Sequence, residues 1–186
     1  AFVGTALISI YGKLGRMLEA ECVFSELSCR DVVSWTAMIS AFIEQEQGER
    51  ALQLYVQIES DGMSPNHLTC IAGLQACGVL ASNQDAVIVN KRSMEAISLD
   101  IGKSLHVDAC LRGFTSDLRV MTAILCMYGE CGSITEAENV FNAAGIYVRD
   151  TVSWNAMLSI YVAEGKGEKA LGLYIDMMKQ NVIIDD

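Results

Sequence analysis

The sequence predicts an all-α fold, an α-solenoid of tandem helix-turn-helix hairpins, on the basis of two internal repeats and one helical pattern. The segment 33–40 returns at 152–159, with Val-Ser-Trp, Ala-Met and a final serine at matching places. An unlike segment, 5–24, returns at 122–141 and shares Thr-Ala, Tyr-Gly, Glu-Ala-Glu and Val-Phe at the same spacing. Because the unlike segments recur in the same order, the chain is predicted to be an array of stacked units.

Each unit is predicted to be a pair of short helices. In the segment 32–66, apolar residues recur at the spacing of one helix face, at Val32, Trp35, Met38, Ile39 and Phe42. Gly48 interrupts this pattern, and a second stripe follows at Ala51, Leu54, Tyr55 and Ile58. Gly62 and Pro65 then end the second helix. Only a stacked neighbour can bury the apolar face of such a hairpin, which favours a solenoid.

The composition limits the classes of protein that the chain can belong to. It has 13 Lys and Arg against 23 Asp and Glu, a net charge of −10, and 52% hydrophobic residues. This composition excludes a disordered chain, and the negative balance argues against binding nucleic acid through a general basic face. No run approaches about 18 uninterrupted apolar residues, so no membrane association is expected. Because the chain begins inside a predicted helix without Met, we interpret it as a fragment of a longer protein.

The seven cysteines suggest neither disulfides nor a metal site. Their number is odd, they form no C-x-x-C pair and they sit among apolar residues, so buried, reduced thiols are expected. Neither His67 nor His106 has a Cys or Glu partner at ligand spacing, so no metal and no cofactor are predicted.

The segment 32–66 closely resembles a pentatricopeptide repeat, and the whole chain resembles the plant class in which P-type, L-type and S-type units alternate. The units are S-type 1–31, P-type 32–66, L-type 67–117, S-type 118–150 and P-type 151–185. The L-type match rests on Leu-x-Ala-Cys at 74–77, Gly-Lys-x-x-His at 102–106 and Gly-Phe-x-x-Asp at 113–117. The resemblance implies a right-handed, tetratricopeptide-like superhelix.

The chain departs from the family pattern in three places. An insertion of about 83–98 interrupts the L-type unit, and it should lengthen a helix or form an exposed excursion. The apolar run 86–89 within it argues against a disordered loop. The second S-type unit has a long end, 143–149, and the last unit carries Asn181 and Ile184 where glycine and proline are usual.

The resemblance implies that each unit reads one base of single-stranded RNA through two side chains. In the family these are the fifth residue of the first helix and the last residue of the unit. Here the pairs are Thr5 with Asp31, Thr36 with Asn66, Ile71 with Asp117, Thr122 with Asp150, and Asn155 with Asp185. The residue that packs against the base is the second of each unit, namely Phe2, Val33, Leu68, Arg119 and Val152. The expected RNA sequence is G, A, any base, G, U, since Ile71 has no hydrogen-bonding group.

Other roles compete with base reading. The five last-position residues are all Asp or Asn just before a predicted helix, where they would also serve as N-caps. Threonine or asparagine at four fifth positions is unusual for a solvated helix surface, which favours a reading role. Trp35 and Trp154 could stack on bases, but their place on the apolar stripe favours the core.

No catalytic motif is present. Relatives with this alternation of units often carry a C-terminal zinc deaminase domain that edits cytidine in RNA, and that chemistry requires H-x-E and P-C-x-x-C. Both motifs are missing, as are a phosphate-binding glycine loop and a Ser/His/Asp arrangement, so the chain itself is predicted not to be an enzyme and to have no small-molecule substrate. A deaminase domain would have to lie in a further part of the protein.

The function implied by the resemblance is sequence-specific binding of single-stranded RNA within an organellar RNA-processing or C-to-U editing factor. The expected location is the mitochondrion or the chloroplast, and other RNA-processing proteins are possible partners. The alternative is a protein-interaction solenoid that does not bind RNA, which the negative net charge favours.

Overall fold

The computed structural model describes residues 2–82, 94–143 and 150–180. Within these ranges it contains ten α-helices, one turn of 3₁₀ helix at Phe114–Ser116 and no strand. The helices are α1 Phe2–Lys13, α2 Met17–Glu26, α3 Val32–Glu44, α4 Gly48–Ser60, α5 His67–Ser82, α6 Met94–Leu111, α7 Leu118–Glu130, α8 Ile134–Ala143, α9 Thr151–Ala163 and α10 Gly167–Lys179. This all-α architecture confirms the predicted fold class. None of the described helices has the length and apolar character needed to cross a membrane.

The helices pack in two layers. Each odd-numbered helix packs against the next odd-numbered helix, so that α1, α3, α5, α7 and α9 form one continuous layer. The even-numbered helices pack against their hairpin partners, and α2, α4, α6 and α8 also contact the first helix of the following hairpin. Residues near the amino ends of the odd-numbered helices therefore repeat along a single layer.

The two sequence repeats build the same junction twice. Phe24 of α2 meets Trp35 of α3 edge to face, with ring centroids 4.8 Å apart, and Phe141 of α8 meets Trp154 of α9 in the same way at 5.1 Å. Both tryptophans are only 1% exposed, which confirms their predicted place in the core. Each aromatic pair joins one hairpin to the next, so the repeated spacing within the chain encodes the stacking of units.

The turns within hairpins rely on residues with positive φ. Gly15, Gly132 and Gly165 occupy the turns of the first, fourth and fifth hairpins at φ 70°, 66° and 66°. In the second hairpin the corresponding residue is Glu46, at φ 56°. Only glycine adopts this conformation without steric cost, so Glu46 introduces local strain that the other three turns avoid.

The end of the predicted insertion lies in α6. Because α6 begins at Met94, residues 94–98 are helical, and at 18 residues α6 is the longest of the described helices. Met94 and Leu99 pack against the core, and Ser98 is fully buried. The rest of the insertion, including the run 86–89, lies outside the described residues, as do 144–149 and the last six positions.

The last hairpin has the open face that the interior hairpins bury. Leu52 and Tyr55 of α4 are 8% and 6% exposed, whereas Leu171 and Tyr174 at the same places in α10 are 62% and 43% exposed. The difference arises because α4 is covered by α5, while among the described residues no helix follows α10.

Ala51 lies at a close helix crossing, and enlarging it should destabilise the fold. It is fully buried, as are Ala20 and Ala137 at equivalent places. We expect Ala51→Leu to lower the free energy of unfolding by about 1–3 kcal/mol, because the core has no room for the added carbons. Urea denaturation measures this change. Ala170→Leu is the matched control, since Ala170 is only half-buried, and an equal loss for both variants would contradict the crossing at Ala51.

Candidate nucleic-acid interface

The second residue of each repeat unit lies near the start of an odd-numbered helix and is exposed, and the five together form what we call the second-position row. Phe2, Val33, Leu68 and Val152 are 91%, 60%, 54% and 58% exposed, and the Arg119 side chain is 68% exposed. Apolar side chains at solvent-exposed sites of the same register, in helices that pack side by side, make a surface on which flat apolar groups can pack. The resemblance described above implies a base-packing role for all five positions, including Phe2, Val33 and Val152.

The fifth-position residues lie three residues further along each odd-numbered helix, on the same face as the row. Thr5, Thr36, Ile71 and Thr122 are half-buried, and Asn155 is exposed. The polar side chains of the four other than Ile71 are therefore on the side where a group packed on the second-position row would lie. The partner predicted for Asn155, Asp185, lies outside the described residues.

The last-position residues cap the odd-numbered helices. Asp31 Oδ1 accepts a hydrogen bond from the Ser34 backbone N–H at 2.8 Å, and Asp150 Oδ1 accepts one from the Ser153 N–H at 2.8 Å. Asn66 Oδ1 accepts from the Thr69 N–H at 3.0 Å. The backbone bond from Ser34 lowers the pKa of Asp31 below its usual range. Capping is thus the role visible in the folded chain, and it occupies one oxygen of each group.

Two of the caps, Asp31 and Asn66, also retain an atom for a ligand. No hydrogen bond among the described residues uses Oδ2 of Asp31 or Nδ2 of Asn66. A carboxylate can accept further bonds through its second oxygen, and the amide nitrogen can donate two. Capping and base reading therefore use different atoms and can coexist in one side chain.

Thr36 and Asn66 are connected through a third residue that the sequence did not single out. The Thr69 hydroxyl lies 2.8 Å from the Thr36 hydroxyl and 3.1 Å from Asn66 Oδ1. Thr69 is fully buried, and its side chain thus joins the fifth residue of one unit to the last residue of the same unit. One sequence feature could have identified Thr69: it lies three residues after a predicted cap, as Ser34 and Ser153 do.

Thr122 of α7, and Ser153 with its cap Asp150 at the start of α9, hold the corresponding places further along the chain. Thr122 and Ser153 line one small cavity of about 20 Å³, and the Ser153 hydroxyl donates to Asp150 Oδ1 at 2.6 Å. Ser153 thus binds Asp150 and shares a cavity with Thr122, the residue predicted to pair with Asp150.

The third unit differs from its neighbours because its last residue is bound to an arginine. Asp117 accepts from the Arg119 backbone N–H at 2.9 Å, and its two oxygens bind Nε and one terminal nitrogen of Arg119 at 3.1 and 2.7 Å. The Arg119 side chain, together with this backbone bond, lowers the pKa of Asp117 to about 2. Both oxygens of Asp117 are thus committed within the protein.

Removing Arg119 should raise the pKa of Asp117. We expect Arg119→Leu to move it from about 2 toward the ordinary value of 3.8, since the cation and two hydrogen bonds are lost while the cap remains. Carboxyl chemical shifts followed by NMR during an acid titration measure this. Because the folded-state pKa is depressed, the ion pair stabilises the protein above pH 3.8 and is lost as the pH falls toward 2. An unchanged titration curve in the variant would show that the ion pair does not form in solution.

The two histidines make contacts that hold the helices together. The His106 Nδ1 atom lies 2.9 Å from the Tyr128 hydroxyl and links α6 to α7, and His67 packs against Phe114. No group of three potential ligands suited to a metal occurs in the described ranges.

The expectation of buried thiols is correct for Cys70, Cys77 and Cys131 and wrong for three others, Cys22, Cys29 and Cys110, which are exposed. Cys22 and Cys110 lie on outward faces of the even-numbered helices, where apolar neighbours in sequence do not imply burial.

The repeat geometry is that of a helical-repeat protein whose units stack through their first helices. A family model described as "PPR repeat family" matches residues 30–78 and 149–186, and a second, "PPR repeat", matches 5–32. Together they cover more than half of the chain, which belongs to the pentatricopeptide repeat family.

Curated relatives come from Arabidopsis thaliana. The chain is 33% identical over 185 residues to the pentatricopeptide repeat-containing protein At2g33680, covering 100% of this chain and 23% of that protein. It is 32% identical over 179 residues to the chloroplastic pentatricopeptide repeat-containing protein CRR2, and the match covers 95% of this chain and 24% of CRR2. The chain thus spans about a quarter of the length of these relatives.

A solved structure has the same fold. The crystal structure of the pentatricopeptide repeat protein PPR10 in complex with an 18-nt psaJ RNA element superposes with a TM-score of 0.73. The sequence identity is 20%, and the match covers 97% of this chain and 25% of PPR10. This similarity confirms the α-solenoid architecture.

Proposed function

We propose that this chain binds single-stranded RNA in a sequence-specific manner, as part of an organellar RNA-processing or C-to-U editing specificity factor. The observation that carries the proposal is the junction in which the fifth-position residue Thr36, the buried hydroxyl of Thr69 and the last-position cap Asn66 lie together. Such a group presents donors and acceptors beside an exposed apolar residue, which is what recognition of an unpaired base requires.

Two proteins that resemble this chain support the same proposal. PPR10 is a family member whose crystal structure contains an RNA element, and CRR2 is named as a chloroplastic protein. We place this protein in the chloroplast or the mitochondrion on that basis. The units are proposed to be S-type 1–31, P-type 32–66, L-type 67–117, S-type 118–150 and P-type 151–185, with the RNA running parallel to the chain. The chain is proposed to bind without catalysing a reaction.

The negative net charge is compatible with this function. Base edges can be read by neutral and acidic side chains, because a carboxylate accepts hydrogen bonds from base donors. A chain with a net charge of −10 gains little from general attraction to phosphate, so its affinity should depend on the sequence of the RNA more than on its length.

Selection from a randomised pool of single-stranded RNA tests the proposal. We expect enrichment of G, A, any base, G, U, read from the five-prime end. A matched control is the variant Thr36→Val with Thr122→Val, which removes two fifth-position hydroxyls and should abolish the enrichment at the second and fourth bases. Absence of any enriched sequence would overturn the proposal.

The competing function is a protein-interaction solenoid. The acidic balance favours it, since many exposed carboxylates suit a basic protein partner. The two functions differ in one measurement, because a protein-interaction solenoid would show no preference among RNA sequences in the selection.

A further inference from the structure

The Thr69 side chain lies inside the junction between α3 and α5 and has no exposure to solvent. Its hydroxyl oxygen is 2.8 Å from the Thr36 hydroxyl on α3 and 3.1 Å from Asn66 Oδ1 just before α5. Thr36 is half-buried and Asn66 is exposed, so both partners reach the surface while Thr69 does not. Thr69 can therefore act on a bound ligand only through these two residues.

The hydroxyls of Thr69 and Thr36 belong to one hydrogen-bonded chain that has an acceptor at each end. One end is Asn66 Oδ1, and the other is the Val32 carbonyl oxygen, to which the Thr36 hydroxyl donates at 2.7 Å. Two hydroxyl hydrogens serve these three contacts, since each hydroxyl carries one. The Thr69 hydroxyl is the middle link, and without it the chain divides into two separate parts.

Thr69 also determines which end of the Asn66 amide faces outward. Oδ1 accepts from the Thr69 backbone N–H at 3.0 Å and from the Thr69 hydroxyl at 3.1 Å. Turning the amide round would place Nδ2, which can only donate, against the Thr69 N–H. Nδ2 is therefore directed away from Thr69, where a ligand can accept a hydrogen bond from it.

Discrimination between bases depends on how precisely the donors and acceptors are held. A recognition group has to stay within about 0.5 Å and about 10–20° of its productive geometry. A threonine or asparagine side chain that is not held changes rotamer, and each rotamer fits a different base edge. A buried link to both side chains restricts this rotation without itself touching the base.

On the basis of the proposed function, we propose that Thr69 is a positioning residue that sets the specificity for the second RNA base. Its buried hydroxyl holds Thr36 and Asn66 in one arrangement, so three residues from two successive hairpins determine which base is bound. A change at Thr69 therefore alters the preference among bases more than the general affinity for RNA.

Replacing Thr69 with valine tests the proposal, because valine has the same shape and keeps the backbone N–H that binds Asn66. The probes are four RNAs of sequence G, N, A, G, U between short runs of uridine, which differ only in the second base N. Affinities are measured by fluorescence anisotropy at low salt. We expect the preference for adenine over guanine to fall about tenfold in Thr69→Val, while the affinity for the RNA with uracil as N changes by less than about twofold.

Two further variants at the same position separate the hydroxyl from the packing. Thr69→Ser keeps the hydroxyl and should restore the preference to within about twofold of that of the unchanged chain. Thr69→Cys keeps a side chain of similar size with a weaker donor and should give an intermediate preference. The cysteine variant also decides the matter if circular dichroism shows that the valine variant does not fold.

The matched control is Ser98→Ala. Ser98 also has a fully buried side chain with a hydroxyl group, but it lies on α6 in the other layer. We expect this variant and the unchanged chain to have the same preference at the second base. Loss of a buried hydroxyl as such would then be excluded as the cause of the change in Thr69→Val.

Three results would overturn the inference while leaving the proposed function intact. The first is equal affinity of the unchanged chain for the four RNAs, and the second is an unchanged preference for adenine in Thr69→Val and Thr69→Cys. The third is an equal loss of affinity of these variants for all four RNAs, which would show that Thr69 only stabilises the fold. If the unchanged chain binds none of the four RNAs and selects no other sequence, the proposed function fails and the inference fails with it.

Discussion

Replacing Asn66 with aspartate should change the second base that the chain prefers from adenine to guanine. Asn66 Oδ1 accepts from the Thr69 N–H and lies beside the Thr69 hydroxyl, and an aspartate oxygen can take over both contacts. The substitution therefore alters only the uncommitted atom, from an amide donor to a carboxylate acceptor. We expect the difference in binding free energy between the two bases to change by about 1–3 kcal/mol.

The measurement is the affinity for four RNAs that differ only at the second base. The reciprocal variant Asp150→Asn is the matched control, since Asp150 caps α9 through the same geometry and should move the fourth base from guanine to adenine. Thermal unfolding should be nearly unchanged in both variants because the caps are retained. If Asn66→Asp weakens all four RNAs equally, then Asn66 is only a cap or a phosphate contact.

Adding one methyl group at Gly48 should open the junction between the second and third hairpins. A Cβ atom there would lie 2.7 Å from the Ala76 carbonyl oxygen and 2.7 Å from the Leu80 backbone nitrogen. Both atoms belong to the backbone of α5 and cannot turn aside, so α4 must shift. We expect Gly48→Ala to lower the free energy of unfolding by about 1–3 kcal/mol in urea denaturation.

The same substitution at Gly167 should raise the free energy of unfolding instead of lowering it. Gly167 begins α10 as Gly48 begins α4, and a Cβ atom added to Gly167 would meet nothing within 4 Å among the described residues. Alanine loses less conformational entropy than glycine on forming a helix, so Gly167→Ala should stabilise by about 0.5–1 kcal/mol. A neutral or stabilising effect of Gly48→Ala would contradict the close packing of α4 on α5.

The sequence was sufficient to predict the hairpins because their signals are local. Apolar spacing placed Trp35 and Trp154 in the core, and both are buried. Gly62 and Pro65 predicted the end of the second helix in the segment 32–66, and α4 ends at Ser60. The internal repeats predicted stacking, because the same Phe and Trp recur on either side of a junction.

The connections within the candidate site could not be predicted in the same way. The contact of Thr36 with Thr69 joins residues on α3 and α5, and only the packing of those helices brings them together. Asp117 and Arg119 are close in sequence, but the geometry of their bidentate ion pair depends on the direction in which α7 begins. The positions of the reading pairs follow the family pattern, and their reading of RNA stays a prediction.

The difference in side-chain exposure between α4 and α10 bears on how fast the backbone amide hydrogens exchange with solvent. Nearly identical apolar residues are covered in one hairpin and open in the other, so a hairpin is held mainly by its neighbours. Opening α10 exposes little additional apolar surface, whereas opening α5 or α7 breaks contacts on two sides. Amide protons of residues 1–186 taken by themselves should therefore exchange faster in α10 than in α5 and α7.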